Sequence, residues 1–206
     1  MRRPEAALVQ AALGLAGLLT SPSLAAQACR EPHYRWTQKT DTALTDRPPE
    51  PTSVAKILAA WAPPDLASRD HCARRTAREL RVYQLTAWIR RVDKAKDDGD
   101  WHIEATERAD SPADSCIVVE IPEPRYSPRY AQARAALDAL IGGRKIGKRG
   151  VLDRPVRARI AGAAFFDGQH RSGGRRSAHI DGEHGRCNSS VRALWEIHPV
   201  YRVTRP

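Results

Sequence analysis

Residues 116–143 read CIVVEIPEPRYSPRYAQARAALDALIGG, and this stretch decides the fold. Its first part, Cys116 to Pro122, is an apolar and β-branched run closed by Pro122 and Pro124, the signature of a strand with a hard stop. Its second part carries a helix start: Ser127 caps, Pro128 takes the first helical position, and Ala, Leu and Ile recur at helical spacing. Gly142 and Gly143 end that helix. A strand therefore runs almost directly into the one substantial helix of the chain.

Working outward, the flanking segments alternate with period two. Before the stretch, LRVYQLTAWIRRV (Leu80 to Val92) places Tyr83, Leu85, Ala87 and Ile89 on one face, and Gln84, Thr86 and Trp88 on the other. KDDGD (Lys96 to Asp100) turns the chain, with Gly99 free to take a positive φ. WHIEATE follows, with Trp101, Ile103 and Ala105 inward and His102, Glu104 and Thr106 outward. After the helix, RPVRARIAGAAFF (Arg154 to Phe166) sets Val156, Ala158 and Ile160 against Arg157 and Arg159. VRALWEIHPVYRV (Val191 to Val203) puts Val191, Ala193, Trp195 and Ile197 on one side. Three strands, a helix and two strands is the order of an OB-fold, so the chain is expected to be mostly β: a five-stranded OB-like barrel over residues 78–206. The competing architecture is an open α+β sheet.

The N-terminal part reads differently. Residues 1–28 resemble an export signal, with Arg2 and Arg3 before an apolar span from Ala6 to Leu19 and the small residues AAQA (Ala25 to Ala28) as a cleavage site. The apolar run is too short for a membrane span, so no transmembrane helix is expected in the mature chain. The expected location is periplasmic or secreted. A rival lipoprotein reading would anchor the chain at Cys29, but Ala26 stands where a lipobox favours Leu. Residues 29–77 form a Pro-rich and helical extension. Its residues 30–52 show no period; Ser53 caps VAKILAAW, stopped by Pro63 and Pro64, and Asp65 caps a second helix running to about Ala77. The four cysteines, Cys29, Cys72, Cys116 and Cys187, admit three pairings, and neighbourhood along the chain favours Cys29 with Cys72 and Cys116 with Cys187.

Three motifs resemble a group of uncharacterised exported bacterial proteins with an OB-like fold: DGDWHI, VVEIPEP and GAAFFDGQH…WEIHPV, spread over about residues 78–203. The resemblance implies a fold rather than an activity. A more distant similarity is to the staphylococcal nuclease family, whose DGDT-like turn and VDTPE-like run supply calcium carboxylates and a general base. It implies Asp100 and Glu120 as Ca²⁺ ligands and Glu123 as the base. That family's phosphate-stabilising Arg corresponds to Ser115 or Cys116 here, which removes the cation that dominates phosphoryl transfer.

Strand parity independently gathers His102, Glu120, Glu196 and His198 on one face, a set that suits Zn²⁺ or Fe²⁺. A plain hydrogen-bonded network of imidazoles and carboxylates is the alternative. HIDGEH (His179 to His184) is a second acid–imidazole cluster, in a glycine-rich loop with no scaffold to hold ligand geometry. The formal charge of +10 falls to +9 once Arg2 and Arg3 are removed against Glu5. Such a surplus favours an anionic partner, either a polyanion or an envelope component. Trp88 and Trp101 offer stacking faces, and Arg90, Arg91, Arg125, Arg129, Lys145, Lys148 and Arg149 offer phosphate contacts, so nucleic acid is admitted, although export favours envelope glycans or proteins. No G-x-S-x-G elbow, phosphate loop or dinucleotide fingerprint occurs. The reading is an exported binding or structural module of unknown ligand rather than an enzyme, for which no cofactor is expected. The alternatives are a Ca²⁺-dependent nuclease-like hydrolase and a His/carboxylate transition-metal protein.

Overall fold

The structure is a computed structural model that describes residues 29–66, 70–94, 97–170 and 186–206. The export segment 1–28 and HIDGEH at 179–184 lie outside the described residues.

The predicted OB-like barrel is the observed fold. Its strands are β2 (Val82–Asp93), β3 (Trp101–Thr106), β4 (Cys116–Ile121), β5 (Val151–Phe166) and β6 (Trp195–Thr204), after a short β1 (Glu50–Thr52). They hydrogen-bond in the order β2-β3-β4-β6-β5, and β5 pairs back with β2 to close the cylinder. All barrel pairings are antiparallel except β4–β6. Closure leaves few strand edges to cover. The inward set predicted from alternation fills the interior: Leu85, Ala87, Ile89, Ile103, Ala105, Val119, Ala158 and Ile160 are all essentially inaccessible. The helix α3 (Pro128–Ile141), capped by Ser127 and ended at Gly142, buries Tyr130, Ala133, Leu137 and Ile141 against this core.

The extension departs from its sequence reading in two ways. Residues 30–52 are not wholly irregular: they hold a short helix, α1 (Trp36–Lys39), and β1, which adds to β2 in parallel. The helix α2 (Val54–Ala60) forms as expected, with the Ser53 hydroxyl accepting from Lys56 N at 3.1 Å. The second helix from Asp65 does not form. Arg35 takes the carbonyls it would need: Arg35 N donates to His71 O, and its guanidinium donates to Ala73 O and Arg74 O. Among the described residues of this segment, the 3₁₀ turn at Ala77–Leu80 is all the helix that appears. The final strand also starts late, because Val191–Leu194 is a 3₁₀ turn that leaves Val191 exposed.

Both favoured disulfides are present, Cys29–Cys72 and Cys116–Cys187. Among the described residues no helix is long and apolar enough to cross a membrane. The extension does not float. Leu44, Val54, Ile57 and Trp61 join the main core. The fully buried Arg35 guanidinium meets Glu79 with two 2.8 Å contacts, and Glu79 also accepts from Phe166 N at 2.9 Å and Thr76 N at 3.1 Å. Arg75 donates to Gln38 O and His198 O, fastening the extension to β6. These bonds hold the segment over the outer wall of the barrel. His102, Glu104 and Thr106 keep the outward parity expected of β3, with Ile103 and Ala105 in the core, and are buried by partners on the barrel: Glu120 for His102, Arg91 and Arg186 for Glu104, and the Trp88 and Arg108 carbonyls for Thr106.

Candidate metal centre

The covered part of the wall is where chemistry-bearing side chains meet. KDDGD makes the predicted turn: Gly99 sits at φ +81°, and the Asp98 carboxylate accepts from Asp100 N at 3.1 Å. From α3, Arg134 donates to Gly99 O and Ile121 O, tying the turn to the end of β4. Asp100 is thereby fixed just ahead of β3 and is fully buried. The β3–β4 register sets His102 opposite Glu120, and the β4–β6 register sets Val118 beside Glu196. His198 follows two residues later on the same face. Gly162 on β5 makes room for this end of β6, since a Cβ there would lie 2.4 Å from Pro199 O.

The resulting contacts are short. His102 Nδ1 lies 2.8 Å from Glu120 Oε1. His198 Nδ1 lies 3.1 Å from Glu196 Oε2 and 3.2 Å from Glu120 Oε2, while its Nε2 lies 3.1 Å from Asp100 Oδ2. One donor atom each from Asp100, Glu120 and His198 falls within 4.8 Å of the other two. The Asp100–His198 distance suits a hydrogen bond but its angle does not, so both Asp100 oxygens and His198 Nε2 are buried without an aligned hydrogen bond. His102 Nε2 is in the same condition.

Electrostatics follow from burial and crowding. Burial raises the Asp100 carboxyl, an effect only partly offset by His198. Burial also pushes Glu196 up, to about 7, with the Glu120 charge adding. For Glu120 burial is outweighed by His102, His198 and Lys39, which hold its carboxyl well below the usual range. Burial pulls His198 down, but contact with Asp100 and Glu196 and the charge of Glu120 overcome it and raise the imidazole to about 9. Lys39 is also buried, and Asp167, Glu196 and Glu120 keep it an ammonium.

Of the expected site residues, Asp100, Glu120 and His198 come together, and His102 joins through Glu120. Glu123 does not enter the cluster: it pairs with Arg125 at 2.7 Å and packs beside Gly99. The Ser115/Cys116 position supplies no cation, since Cys116 is held in its disulfide. Trp101 is not a free stacking face, because Lys94 and Arg134 lie 4.1 and 4.9 Å from its ring centre. Sequence reasoning missed Lys39, Arg75 and Asp167. Lys39 Nζ donates to Asp167 Oδ2 at 3.1 Å, and Lys39, Arg35 and Arg75 all lie over the Phe165 ring, which also touches His198. The only sequence signal was Asp167 inside the FFDGQH run. No family model, curated protein or solved structure matches the chain.

Proposed function

We propose that the protein is an exported metal-binding module whose ligand is a divalent transition-metal ion held by Asp100, Glu120 and His198. The observation that carries this reading is the meeting of three buried donor atoms from separate elements, with the Asp100 carboxylate and His198 Nε2 facing each other in no aligned hydrogen bond. Buried polar groups ordinarily find partners, so the orphaned Asp100 carboxylate beside His198 Nε2 calls for a bound species. Donors about 2.1 Å from a tetrahedral ion sit about 3.4 Å apart, and the three donor atoms here lie within 4.8 Å of one another. Glu196 lies against His198 Nδ1, the arrangement in which a carboxylate orients a metal-bound imidazole.

Charge count agrees. Four carboxylates, Asp100, Glu120, Asp167 and Glu196, gather around one ammonium, Lys39, and two imidazoles. A divalent cation offsets such an excess better than solvent can at a buried site. One imidazole with carboxylates favours Zn²⁺, Fe²⁺ or Mn²⁺ over an all-oxygen Ca²⁺ site. Hydrolysis through Glu123 receives less support, because that residue is tied to Arg125 and the cluster itself is closed to water. The two disulfides are compatible with export.

Metal analysis of purified protein tests the reading. About one equivalent of Zn, Fe or Mn per chain is expected, lost in His198→Ala and retained when His179 and His184 are both replaced by Ala. Metal that instead follows the 179–184 segment, or none at all after dialysis against Zn²⁺, overturns it.

A further inference from the structure

Strands β2, β5 and β6 carry a row of exposed cations. In the β2–β5 register Trp88 lies across from Arg157 and Thr86 across from Arg159, and in the β5–β6 register Arg159 meets Thr204 and Ala161 meets Arg202. Cross-strand partners share a face, so Trp88, Arg157, Arg159 and Arg202 belong to one outer surface. The three arginines are exposed, and none forms an ion pair among the described residues. Trp88 is half-buried and, unlike Trp101, stands outside the hydrophobic core. Four of the seven cations expected from the sequence are already engaged: Arg90 with Ser111 O, Arg91 with Glu104 and Asp93, Arg125 with Glu123, and Arg129 with Asp46. At Arg202 the strip opens into a groove of about 480 Å³ that Arg47 and Arg129 also line.

We propose that this outer β2–β5–β6 face binds single-stranded nucleic acid, independently of the metal centre. Alternate residues of a strand stand about 6.8 Å apart, so Arg157 and Arg159 present a regular pair of cations. Two cations held at a fixed spacing on a strand can each take a phosphate of an extended single strand. An aromatic ring beside the row provides a face on which a base stacks, the combination that sequence-tolerant single-strand binders use. The net charge of +9 left once the export segment is removed adds long-range attraction. For an exported chain the strand is extracellular nucleic acid.

Fluorescence anisotropy of a labelled dT20 strand, titrated with the intact protein between 50 and 200 mM NaCl, tests the proposal. Neutralising three phosphates gives a slope of log K against log salt of about −2. Arg157→Ala/Arg159→Ala is expected to weaken binding at least tenfold and reduce that slope by about 1.4. Trp88→Ala should lose at least about fivefold in affinity with its slope unchanged. These side chains lie outside the core, and thermal melts confirm that the variants fold. Absence of binding at 50 mM salt, an unchanged slope in the double variant, or an unaffected Trp88→Ala overturns the proposal. Heparin binding as tight as dT20 would reveal a site for anionic glycans and overturn it too.

Discussion

Glu79→Gln should unfold the extension from the barrel at a cost far beyond that of an ordinary polar substitution. Both partners of the Arg35–Glu79 pair are fully buried, and the carboxylate oxygens receive donors from Arg35 Nη1, Arg35 Nη2, Phe166 N and Thr76 N. An amide in place of the carboxylate sets an NH₂ against one group of those donors, whichever way it turns, and leaves the guanidinium uncompensated. Breaking one side of a buried pair costs about 3–5 kcal/mol. For a chain of this size that corresponds to a fall in melting temperature of about 6–20 °C. Circular dichroism melts in chelator, with disulfides intact, measure it. Arg35→Met/Glu79→Leu removes both charges but strands Phe166 N, Thr76 N and the carbonyls that Arg35 served, so it should recover only the part of the loss that comes from the unpaired charge. A loss below about 1 kcal/mol for Glu79→Gln, or a double variant as weak as the single, would refute the idea that this pair fastens the extension.

Two further outcomes follow from the same contacts. Gly162→Ala forces a methyl to within 2.4 Å of Pro199 O and 2.9 Å of Val200 Cα, backbone atoms that cannot step aside; a loss of about 1–3 kcal/mol is expected in urea unfolding, with weaker metal retention because β6 shifts at His198. Tyr201 and Tyr130 both donate to Asp41 O, and burial raises both phenols above their ordinary value, with Asp41 adding. The unfolded chain therefore ionises first, so this stability is fully present below about pH 10 and is lost as pH rises beyond it. Tyr201→Phe should flatten that alkaline fall; an unchanged fall would contradict it.

Much of the barrel was legible because its strands obey a period of two around one helix of unmistakable start and stop. Parity also brings His102, Glu120, Glu196 and His198 to one face. The extension was not legible, because its hold on the barrel comes from single side chains, Arg35, Lys39 and Arg75, in segments without a period. Parity gives the side that a β3 residue takes, as for His102, Glu104 and Thr106, but partners distant in sequence decide whether that side meets water. Glu123 was placed by resemblance alone, and a local pair with Arg125 held it outside the cluster.

The most direct test is a titration of chelator-treated protein with Co²⁺, followed by visible absorption. The account predicts saturation at one equivalent, and no such signal in Asp100→Asn. That variant removes a carboxyl already raised by burial, so its metal-free form should melt no lower than the parent. A Co²⁺ signal that survives Asp100→Asn unchanged, or a parent protein that binds none, would contradict the claim that the covered wall of the barrel holds a metal ion.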